Sequence, residues 1–330
     1  MINIKLYLNF RISLLYYLCN QSKHNMNYKE VFNTMVDETA QYLIDNKLKA
    51  MVLGISGGLD STVTAAICHE VVNRYPEHNF RFIGVSLPCS SNTDDENDSA
   101  SLCMKAFCKE GNYWVENLQH EYMFMKATCE RHCESTYISQ GNIKARLRMI
   151  YLYNLASVNG GLVMDTDNLT EHYLGFFTIH GDVADFNPIG GLWKHEVYEL
   201  ASYLKDKYEI EKKNSPMSPD SFDSKIEAIN YALGIRPTDG NGVNDLGDMG
   251  QIAPKFAHDK NVVAYTKVDD IIKTYINFVG RNSELFNAAM EALYTEYGSY
   301  TVDGVINRIK KTEYKRHRMP LVIPREKYVS

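Results

Sequence analysis

Short apolar runs alternate with longer amphipathic segments through the first two thirds of the chain. The apolar runs are bounded by glycine, proline or polar residues, which is typical of buried strands. These runs, and therefore the predicted strands, lie at 50–56, 80–88, 112–118 and 162–166. The intervening segments repeat apolar residues near helical spacing. Helices are expected at 28–46, 60–75, 97–111, 142–161, 195–208 and 268–279.

This alternation of strands and helices predicts an α/β fold. The expected architecture is a doubly wound, mostly parallel sheet with helices on both faces. Ligands of such sheets bind outside the carboxyl ends of the strands. We therefore expect the turns after Ile55, Leu87 and Asp165 to gather at one edge.

Two segments differ from this pattern. Residues 211–262 contain four prolines and a run rich in glycine and aspartate, with little periodicity. They predict a mobile loop or insertion. Residues 1–25 are apolar but are interrupted by Arg11, and Met26 opens a more ordinary sequence. We expect 1–25 to be a disordered extension or the product of an early start assignment, with a targeting segment as the alternative. Residues 26–330 would then form the functional domain.

Composition and charge narrow the classes of function. Of the 330 residues 45% are hydrophobic, which is ample for a large core, and the net charge is −6. This balance gives no sign of a nucleic-acid or anionic-membrane partner. No run approaches the roughly 20 apolar residues that a membrane span needs.

The seven cysteines include no CxxC pair. CERHC at 129–133 suggests a metal site, but a zinc site usually has four ligands in closer pairs. Reduced thiols in a cytosolic protein are the preferred interpretation.

A glycine-rich turn follows the first predicted strand, in LGISGGLDSTVTAA at 53–66. It lacks the lysine of a Walker loop and the spacing of a GxGxxG fingerprint. The order strand, SGG turn, helix still directs backbone N–H groups and the positive end of the helix dipole at one anion. Asp60 would repel a bare phosphate but suits a divalent cation between carboxylate and phosphate oxygens. The stretch predicts a metal-assisted phosphate site, with an ordinary glycine turn as the alternative.

The motif SGGLDS at 56–61 resembles the SGGxDS loop of the N-type ATP pyrophosphatases, the PP-loop superfamily. The resemblance implies an adenine nucleotide alpha hydrolase-like fold and cleavage of ATP between its α- and β-phosphates. It leaves the acceptor open, because the superfamily includes several synthetases and tRNA-modifying enzymes.

Three later stretches are similar to the NAD synthetase family, and they stand in the same order. They are GNIKARLRMIYLYNLA (141–156), DTDNLTEHYLGFFTIHGDVADFNPIGGLWKHEVYELA (165–201) and TEYKRHRMP (312–320). The resemblance implies a carbon–nitrogen ligase. ATP would adenylate the carboxylate of nicotinic acid adenine dinucleotide and release pyrophosphate, and ammonia would displace AMP to form NAD. Bound Mg²⁺, a cytoplasmic location and a homodimer with active sites at its interface are further implications.

The resemblance also implies the site residues. ATP binding is implied for Gly54, Ser56, Gly57, Gly58, Asp60, Ser61, Thr166 and Lys194. Catalysis is implied for Asp60 and Lys194, and Mg²⁺ binding for Asp60 and Glu171. Binding of the deamido dinucleotide is implied for Arg146, Asp185, Tyr314 and Lys315. The last two would act across the dimer interface.

Several of these residues have a simpler interpretation. Glu171 could cap the helix that follows it, Lys194 could be a surface lysine, and Asp185 could satisfy the backbone of a turn. Arg146 and Arg148 are two residues apart on a predicted helix, so they face different sides and at least one could be a solvated charge. Phe176–Phe177 is expected in the core rather than against nicotinate, and residues 315–318 are either ligands or a solvated tail.

The chain departs from the family pattern at several positions. Asp165 replaces a glycine and would place an extra carboxylate close to ATP. Ile179 replaces a lysine that helps to bind the dinucleotide, and Tyr314 stands where histidine is common. Ser218 and Thr238 compete as the hydroxyl that a mobile loop brings to ATP.

The sequence leaves two alternative functions open. One is a PP-loop enzyme that modifies a different acceptor, and the other is a non-catalytic nucleotide-binding relative. Because no glutaminase segment is recognisable before Met26 or after the tail, we expect free ammonia to be the nitrogen source.

Overall fold

The computed structural model describes residues 26–89, 92–214, 219–238 and 247–316. Three sequence predictions therefore lie outside the described residues. They concern the extension at 1–25, Ser218, and the end of the tail from 317 onward.

Four parallel strands form the sheet of the described chain. They are β1 (Ala50–Gly54), β2 (Arg81–Ser86), β3 (Tyr113–Val115) and β4 (Gly161–Val163). The strand order is β3-β2-β1-β4, and Val52 of β1 pairs with Ile83 on one side and Val163 on the other. All four predicted strands are confirmed within a few residues.

Helices connect the strands and continue the chain beyond them. They are α1 (Tyr28–Asp45), α2 (Leu59–Arg74), α3 (Asp94–Phe107), α4 (Gln119–Cys129), α5 (Tyr137–Val158), α6 (Leu169–Leu174), α7 (Lys194–Asn214), α8 (Pro219–Gly234), α9 (Gly247–Ile252), α10 (Asn261–Phe278), α11 (Ser283–Tyr297) and α12 (Ser299–Lys311). Short 3₁₀ turns lie at Pro76–His78, Pro254–Phe256 and Glu313–Arg316.

The central strand is buried on both faces. Successive side chains of a strand point to opposite sides; Met51 and Leu53 accordingly belong to one hydrophobic cluster, and Ala50 and Val52 belong to another. The first cluster includes α1, α2, α3 and α7, and the second is closed mainly by α5. The predicted doubly wound α/β fold is confirmed.

The strand order creates a crevice beside β1. From β1 the chain passes to β2 and β3 on one side, and β4 then pairs on the opposite side of β1. The connections therefore diverge between β1 and β4, which is where doubly wound sheets bind ligands. The glycine turn after β1 and the segment 164–168 after β4 face each other there.

The segment 211–262 is more helical than its sequence pattern indicated. Its described part contains the end of α7, all of α8 and α9, and the beginning of α10. Helix α8 buries Ala228, Ile229 and Ala232 in the larger hydrophobic cluster. The expected mobility of this segment stays a prediction.

None of the helices in the described part of the chain combines the length and apolar character needed to cross a membrane.

Candidate active site

The turn after β1 is held against α3. Gly57 has a φ of +83°, and a Cβ atom there would lie 2.5 Å from the Glu96 carbonyl oxygen. Ser99 Oγ donates a hydrogen bond to the Gly57 carbonyl oxygen at 2.6 Å. Only glycine adopts this conformation without strain and fits this space. The close contact between the turn and α3 therefore requires a glycine at position 57.

Gly57→Ala is expected to lower the free energy of unfolding by about 2–4 kcal/mol, because it adds both left-handed strain and a clash with helix backbone. Gly111→Ala is the matched control. Its φ is +81°, but nothing lies within 4 Å of an added Cβ, so only a conformational cost of about 1–2 kcal/mol remains. Urea unfolding of both variants measures the difference. Equal losses would contradict this explanation of the turn.

The start of α2 has no side-chain cap, and two hydroxyl groups lie beside it. Gly58 is the N-cap and contributes no side-chain hydrogen bond to the first turn. Ser56 Oγ accepts a hydrogen bond from Gly58 N at 3.2 Å and lies 3.1 Å from Ser61 Oγ. Uncapped N–H groups at a helix N-terminus, with hydroxyls beside them, are a typical phosphate site.

Lys194 is the central cation of the crevice. It is the first residue of α7 and is only 2% exposed. Its ammonium group donates hydrogen bonds to Asp60 Oδ2 and to Glu171 Oε1, the latter at 3.1 Å. It also lies 5.6 Å from the centre of the Tyr265 ring. The interpretation of Lys194 as a surface lysine is wrong.

Glu171 caps α6 and contacts Lys194 at the same time. The N-cap Asn168 is fully buried. Its Oδ1 accepts a hydrogen bond from Glu171 N, and Glu171 Oε2 accepts one from Asn168 N, both at 3.1 Å. The capping interpretation is confirmed, and Oε1 remains directed at Lys194. Asn168 Nδ2 also donates to Asp60 Oδ1 at 3.0 Å, so this one amide orders both carboxylates.

Negative charge exceeds positive charge at this edge of the sheet. Burial alone would lower the pKa of Lys194, but Asp60 and Glu171 outweigh it and hold that pKa well above its usual range. Burial raises the pKa of Glu171; Lys194 opposes this effect and Asp60 adds to it. Burial, followed by the carboxylate of Asp165, raises the pKa of Asp167. A further cation would therefore be stabilised here.

A cleft of about 280 Å³ opens beside these groups. Its walls come from the loop after β1, the end of β2, α5 and the segment after α8. The predicted ATP and metal residues that line it are Gly54, Ser56, Gly58, Asp60, Thr166, Glu171 and Lys194. Gly57 and Ser61 do not line it: Gly57 packs on α3, and Ser61 is buried beneath the turn.

Arg148 lines the cleft, and Arg146 does not. Arg148 Nε donates to the Leu87 carbonyl oxygen at 2.9 Å. Arg146 is exposed, and its guanidinium donates to the Ile179 carbonyl oxygen at 3.3 Å. The two arginines face different sides of α5, as their spacing predicted. The resemblance implied a ligand role for Arg146 alone, and which arginine reaches the cleft depends on which face of α5 covers the sheet.

Thr238 lies at the cleft with Arg236 and Pro237. Its Oγ1 donates to Glu96 Oε1 at 2.5 Å, and Glu96, in the first turn of α3, also lines the cleft. Of the two candidate hydroxyls, Thr238 is therefore beside the cleft, and Ser218 lies outside the described residues.

Asp165 and Asp185 both stabilise backbone. Asp165 is 1% exposed and accepts hydrogen bonds from Asp167 N, Ala184 N and Asn187 Nδ2 at 2.8–3.0 Å. It does not line the cleft, and it fastens the turn that carries Thr166. Asp185 accepts from Tyr153 OH at 2.9 Å and from Val163 N at 3.0 Å. It thus secures the end of β4 and not the turn that it flanks, while its predicted contact with the dinucleotide stays a prediction.

The tail residues lie apart from this cleft. Lys315 Nζ donates to the carbonyl oxygens of Gly175 at 2.8 Å and Phe177 at 2.6 Å. It lines a second cavity of about 240 Å³ together with Phe177. Phe176 packs against the core as expected, whereas Phe177 lines this second cavity instead. Tyr314 is 63% exposed.

A glycine loop of this kind, at the switch point of a parallel sheet, is the nucleotide site of PP-loop proteins. The fold is adenine nucleotide alpha hydrolase-like, as predicted. The sequence model of the family described as NAD synthase matches residues 31–220, which is more than half of the chain. The chain belongs to the NAD synthase family, and the predicted resemblance and ligase class are confirmed.

The names of two proteins that are similar in sequence agree with this family assignment. A protein from Campylobacter jejuni subsp. doylei, named NH(3)-dependent NAD(+) synthetase, is 33% identical over 181 residues. The match covers 54% of this chain and 69% of that protein. A protein of the same name from Fusobacterium nucleatum subsp. nucleatum is 29% identical over 307 residues, covering 91% of this chain and 98% of the relative.

Solved structures show the same fold. NMN synthetase from Francisella tularensis has a TM-score of 0.66 and 20% identity, with 91% of this chain and 99% of that chain covered. The NH3-dependent NAD synthetase from Campylobacter jejuni has a TM-score of 0.61 and 22% identity, with coverages of 91% and 100%.

Proposed function

We propose that this chain is an ammonia-dependent NAD synthetase. A carboxylate oxygen of nicotinic acid adenine dinucleotide attacks the α-phosphorus of ATP, and pyrophosphate leaves with the electron pair of the broken bond. Ammonia then attacks the acyl carbon, AMP leaves, and the nitrogen loses a proton to give the amide of NAD. The observation that carries the proposal is the buried ammonium of Lys194, held between Asp60 and Glu171 beside the SGGLDS turn.

The residues of the cleft suit the departure of pyrophosphate. Negative charge grows on the β-phosphate as its bond to the α-phosphate breaks. The N-terminal N–H groups of α2 and the hydroxyl of Ser56 offer hydrogen bonds to that charge. Lys194 supplies a full positive charge, and its burial strengthens the attraction, because little water screens it.

Asp60 and Glu171 would hold Mg²⁺. Their carboxylates already approach one atom, Lys194 Nζ, and carboxylate oxygens are the ligands that Mg²⁺ takes from proteins at phosphate sites. Burial, followed by the carboxylates around it, raises the pKa of Asp167, and a nearby cation would oppose that shift. When bound, the ion would neutralise charge on the phosphate oxygens. Among the described residues, no group of three or more His, Cys, Asp or Glu side chains is arranged as a metal site, so phosphate oxygens and water would complete the coordination.

Turnover with defined substrates tests the proposed reaction. The protein is incubated with ATP, Mg²⁺, ammonium and nicotinic acid adenine dinucleotide, and equal amounts of NAD and AMP are expected. Nicotinic acid mononucleotide serves as a second acceptor, because the fold also matches an NMN synthetase. AMP formed only on a different acceptor would favour another PP-loop activity. Tight ATP binding without AMP would favour a non-catalytic relative.

Ammonium, and not glutamine, is the expected nitrogen donor. The Campylobacter and Fusobacterium relatives are named as NH(3)-dependent. We expect NAD formation to rise with ammonium concentration and to stay at background with glutamine alone. The assay needs glutamine freed of contaminating ammonium. Turnover with that glutamine, at a rate similar to the rate with ammonium, would contradict this prediction.

A homodimer would place the dinucleotide at the exposed face of α5. That face carries Ile150, Tyr153 and Val158, which are 66%, 40% and 72% exposed. Arg146 is exposed on the same helix, and the hydroxyl of Tyr153 donates a hydrogen bond to Asp185. An apolar surface of this kind is typical of a protein–protein interface, and two of the four predicted dinucleotide residues, Arg146 and Asp185, border it. This supports a dinucleotide site shared between two copies of the chain.

Ile150→Asp is expected to convert the dimer to a monomer, because the change would bury two charges at a symmetric interface. Sedimentation equilibrium measures the mass, and NAD formation should fall with the dimer fraction. Ile210→Asp is the control, since Ile210 is 58% exposed on α7, away from that face. A wild-type monomer that forms NAD at full rate would refute the shared site.

A cytoplasmic location completes the proposal. The cysteines of the described residues are all free thiols, two of them exposed. Free thiols are typical of reducing compartments.

A further inference from the structure

Lys194 and Glu171 lie near the starts of two helices, which a backbone hydrogen bond from Leu169 N to the Leu192 carbonyl oxygen joins at 2.8 Å. Helix α6 has only six residues, too few for much stability of its own. Residues 175–193 separate it from α7. The hydrogen bond between their side chains, 3.1 Å from Lys194 Nζ to Glu171 Oε1, has additional support from a third helix.

Asp269 provides that support from α10. We infer that Asp269 is a positioning residue, which fixes the start of α7 against α6 and so holds the Lys194 ammonium at the α–β bond of ATP. Asp269 is fully buried and touches neither the cleft nor the loop after β1. This inference rests on the adenylation chemistry proposed above.

The contacts of Asp269 reach both helices. Thr170 Oγ1 donates a hydrogen bond to Asp269 Oδ1, and the same hydroxyl accepts one from Lys194 N at 2.9 Å. Asp269 Oδ2 accepts from His195 N at 3.1 Å and lies 2.7 Å from His195 Nδ1. Thr170 directly precedes Glu171, and His195 directly follows Lys194. One carboxylate thus joins the immediate neighbours of both charged groups.

The charge of Asp269 suits this position. Its carboxylate lies at the N-terminus of the 21-residue helix α7, where the helix dipole attracts an anion. His195 continues the network, since its Nε2 lies 3.9 Å from Glu196 Oε1, which is 3.5 Å from Lys273 Nζ. Without the charge of Asp269, the hydrogen-bond donors around it would be only partly satisfied. We expect the start of α7 to shift as a result.

The test compares Asp269→Asn with Asp270→Asn. Asp270 is the next residue of α10, and it accepts a hydrogen bond from Tyr297 OH at 2.9 Å, outside the α6–α7 contact. For Asp269→Asn we expect kcat for AMP formation to fall by about 10- to 100-fold, with ATP affinity changed by less than about threefold, because a misplacement near 1 Å has effects of that size. Asp270→Asn should retain both values.

Two further variants keep the inference testable if Asp269→Asn unfolds. Thr170→Ser retains the hydroxyl and should have nearly wild-type kcat, whereas Thr170→Val loses the hydroxyl and should share the selective fall in kcat. A purely structural role would lower thermal stability and impair kcat and ATP binding together. That pattern, or wild-type kcat in both Asp269→Asn and Thr170→Val, would overturn the inference.

Hydrogen–deuterium exchange separates this inference from the proposed function. Faster exchange is expected at the amides of 169–174 and 194–198 in Asp269→Asn and not in Asp270→Asn, whatever the wild-type activity. Wild-type protein that forms no AMP would refute the proposed function alone. Unchanged exchange in Asp269→Asn would refute the positioning role alone.

Discussion

Lys194→Met is expected to lower kcat for AMP formation by about 100- to 1,000-fold, the size of effect seen when a preorganised transition-state contact is removed. Methionine has a similar length and keeps the apolar contacts of the stem, so the ammonium is the main group lost. Among the residues that the structure describes, Lys194 is the cation that contacts both Asp60 and Glu171. Without it, the charge of the leaving pyrophosphate faces two carboxylates. Rapid-quench measurement of pyrophosphate with saturating ATP and dinucleotide gives the rate of the adenylation step.

The matched control is Lys225→Met. Lys225 is also buried, at 9% exposed, and its ammonium also lies over a tyrosine ring, 5.3 Å from the centre of Tyr208. It lies on α8, outside the residues that line the cleft, so its replacement should leave kcat within about twofold of the wild-type value. Thermal unfolding of both variants separates a lost charge from a lost fold. Full AMP formation by a folded Lys194→Met protein would refute the role assigned to this lysine.

Asp60→Asn is expected to abolish measurable AMP formation and to weaken the response to Mg²⁺. The amide has nearly the same shape, but it is a poor metal ligand and places a donor group toward Lys194. The titration of activity with Mg²⁺, at fixed ATP, is the decisive measurement. An unchanged Mg²⁺ dependence with retained activity would remove Asp60 from the metal site.

Asp94→Asn controls for the loss of charge at a helix start. Asp94 is exposed in the first turn of α3 and does not line the cleft. It has the same favourable interaction with a helix dipole, worth about 0.3–1 kcal/mol. Its variant should therefore show a small loss of stability and normal activity. A large loss of activity in Asp94→Asn would show that charge near the cleft matters in general, and that Asp60 has no special position.

The strands were predictable because of how they are buried. A central parallel strand is covered on both faces, so it reads as a continuous apolar run. The predicted strand at 50–56 corresponds to the observed strand Ala50–Gly54, and the predicted strand at 80–88 corresponds to Arg81–Ser86. Helix α8 was not predicted, because prolines and glycines surround it in 211–262 and its burial depends on distant elements of the fold. Short α6 was missed because six residues carry almost no periodic signal.

The site was predictable only in part. The SGGLDS motif and the stretch 165–201 assigned Asp60, Glu171 and Lys194 to one site through family resemblance, and the structure brings these three together. The same reasoning did not single out Arg148, which lines the cleft; the dinucleotide contact implied for Arg146 stays a prediction. It could not recognise Asn168, whose amide meets Asp60 across the switch point.

The sequence by itself determined the class of fold, the glycine-rich turn after β1 and the chemical types of the groups around it, because apolar periodicity and a glycine-rich motif are local properties. The tertiary structure alone decided that Lys194 is buried, that Asp165 supports a turn, and that Asp269 joins α6 to α7. These facts depend on contacts between segments far apart in the chain, and no local pattern records which distant carboxylate meets a given helix start.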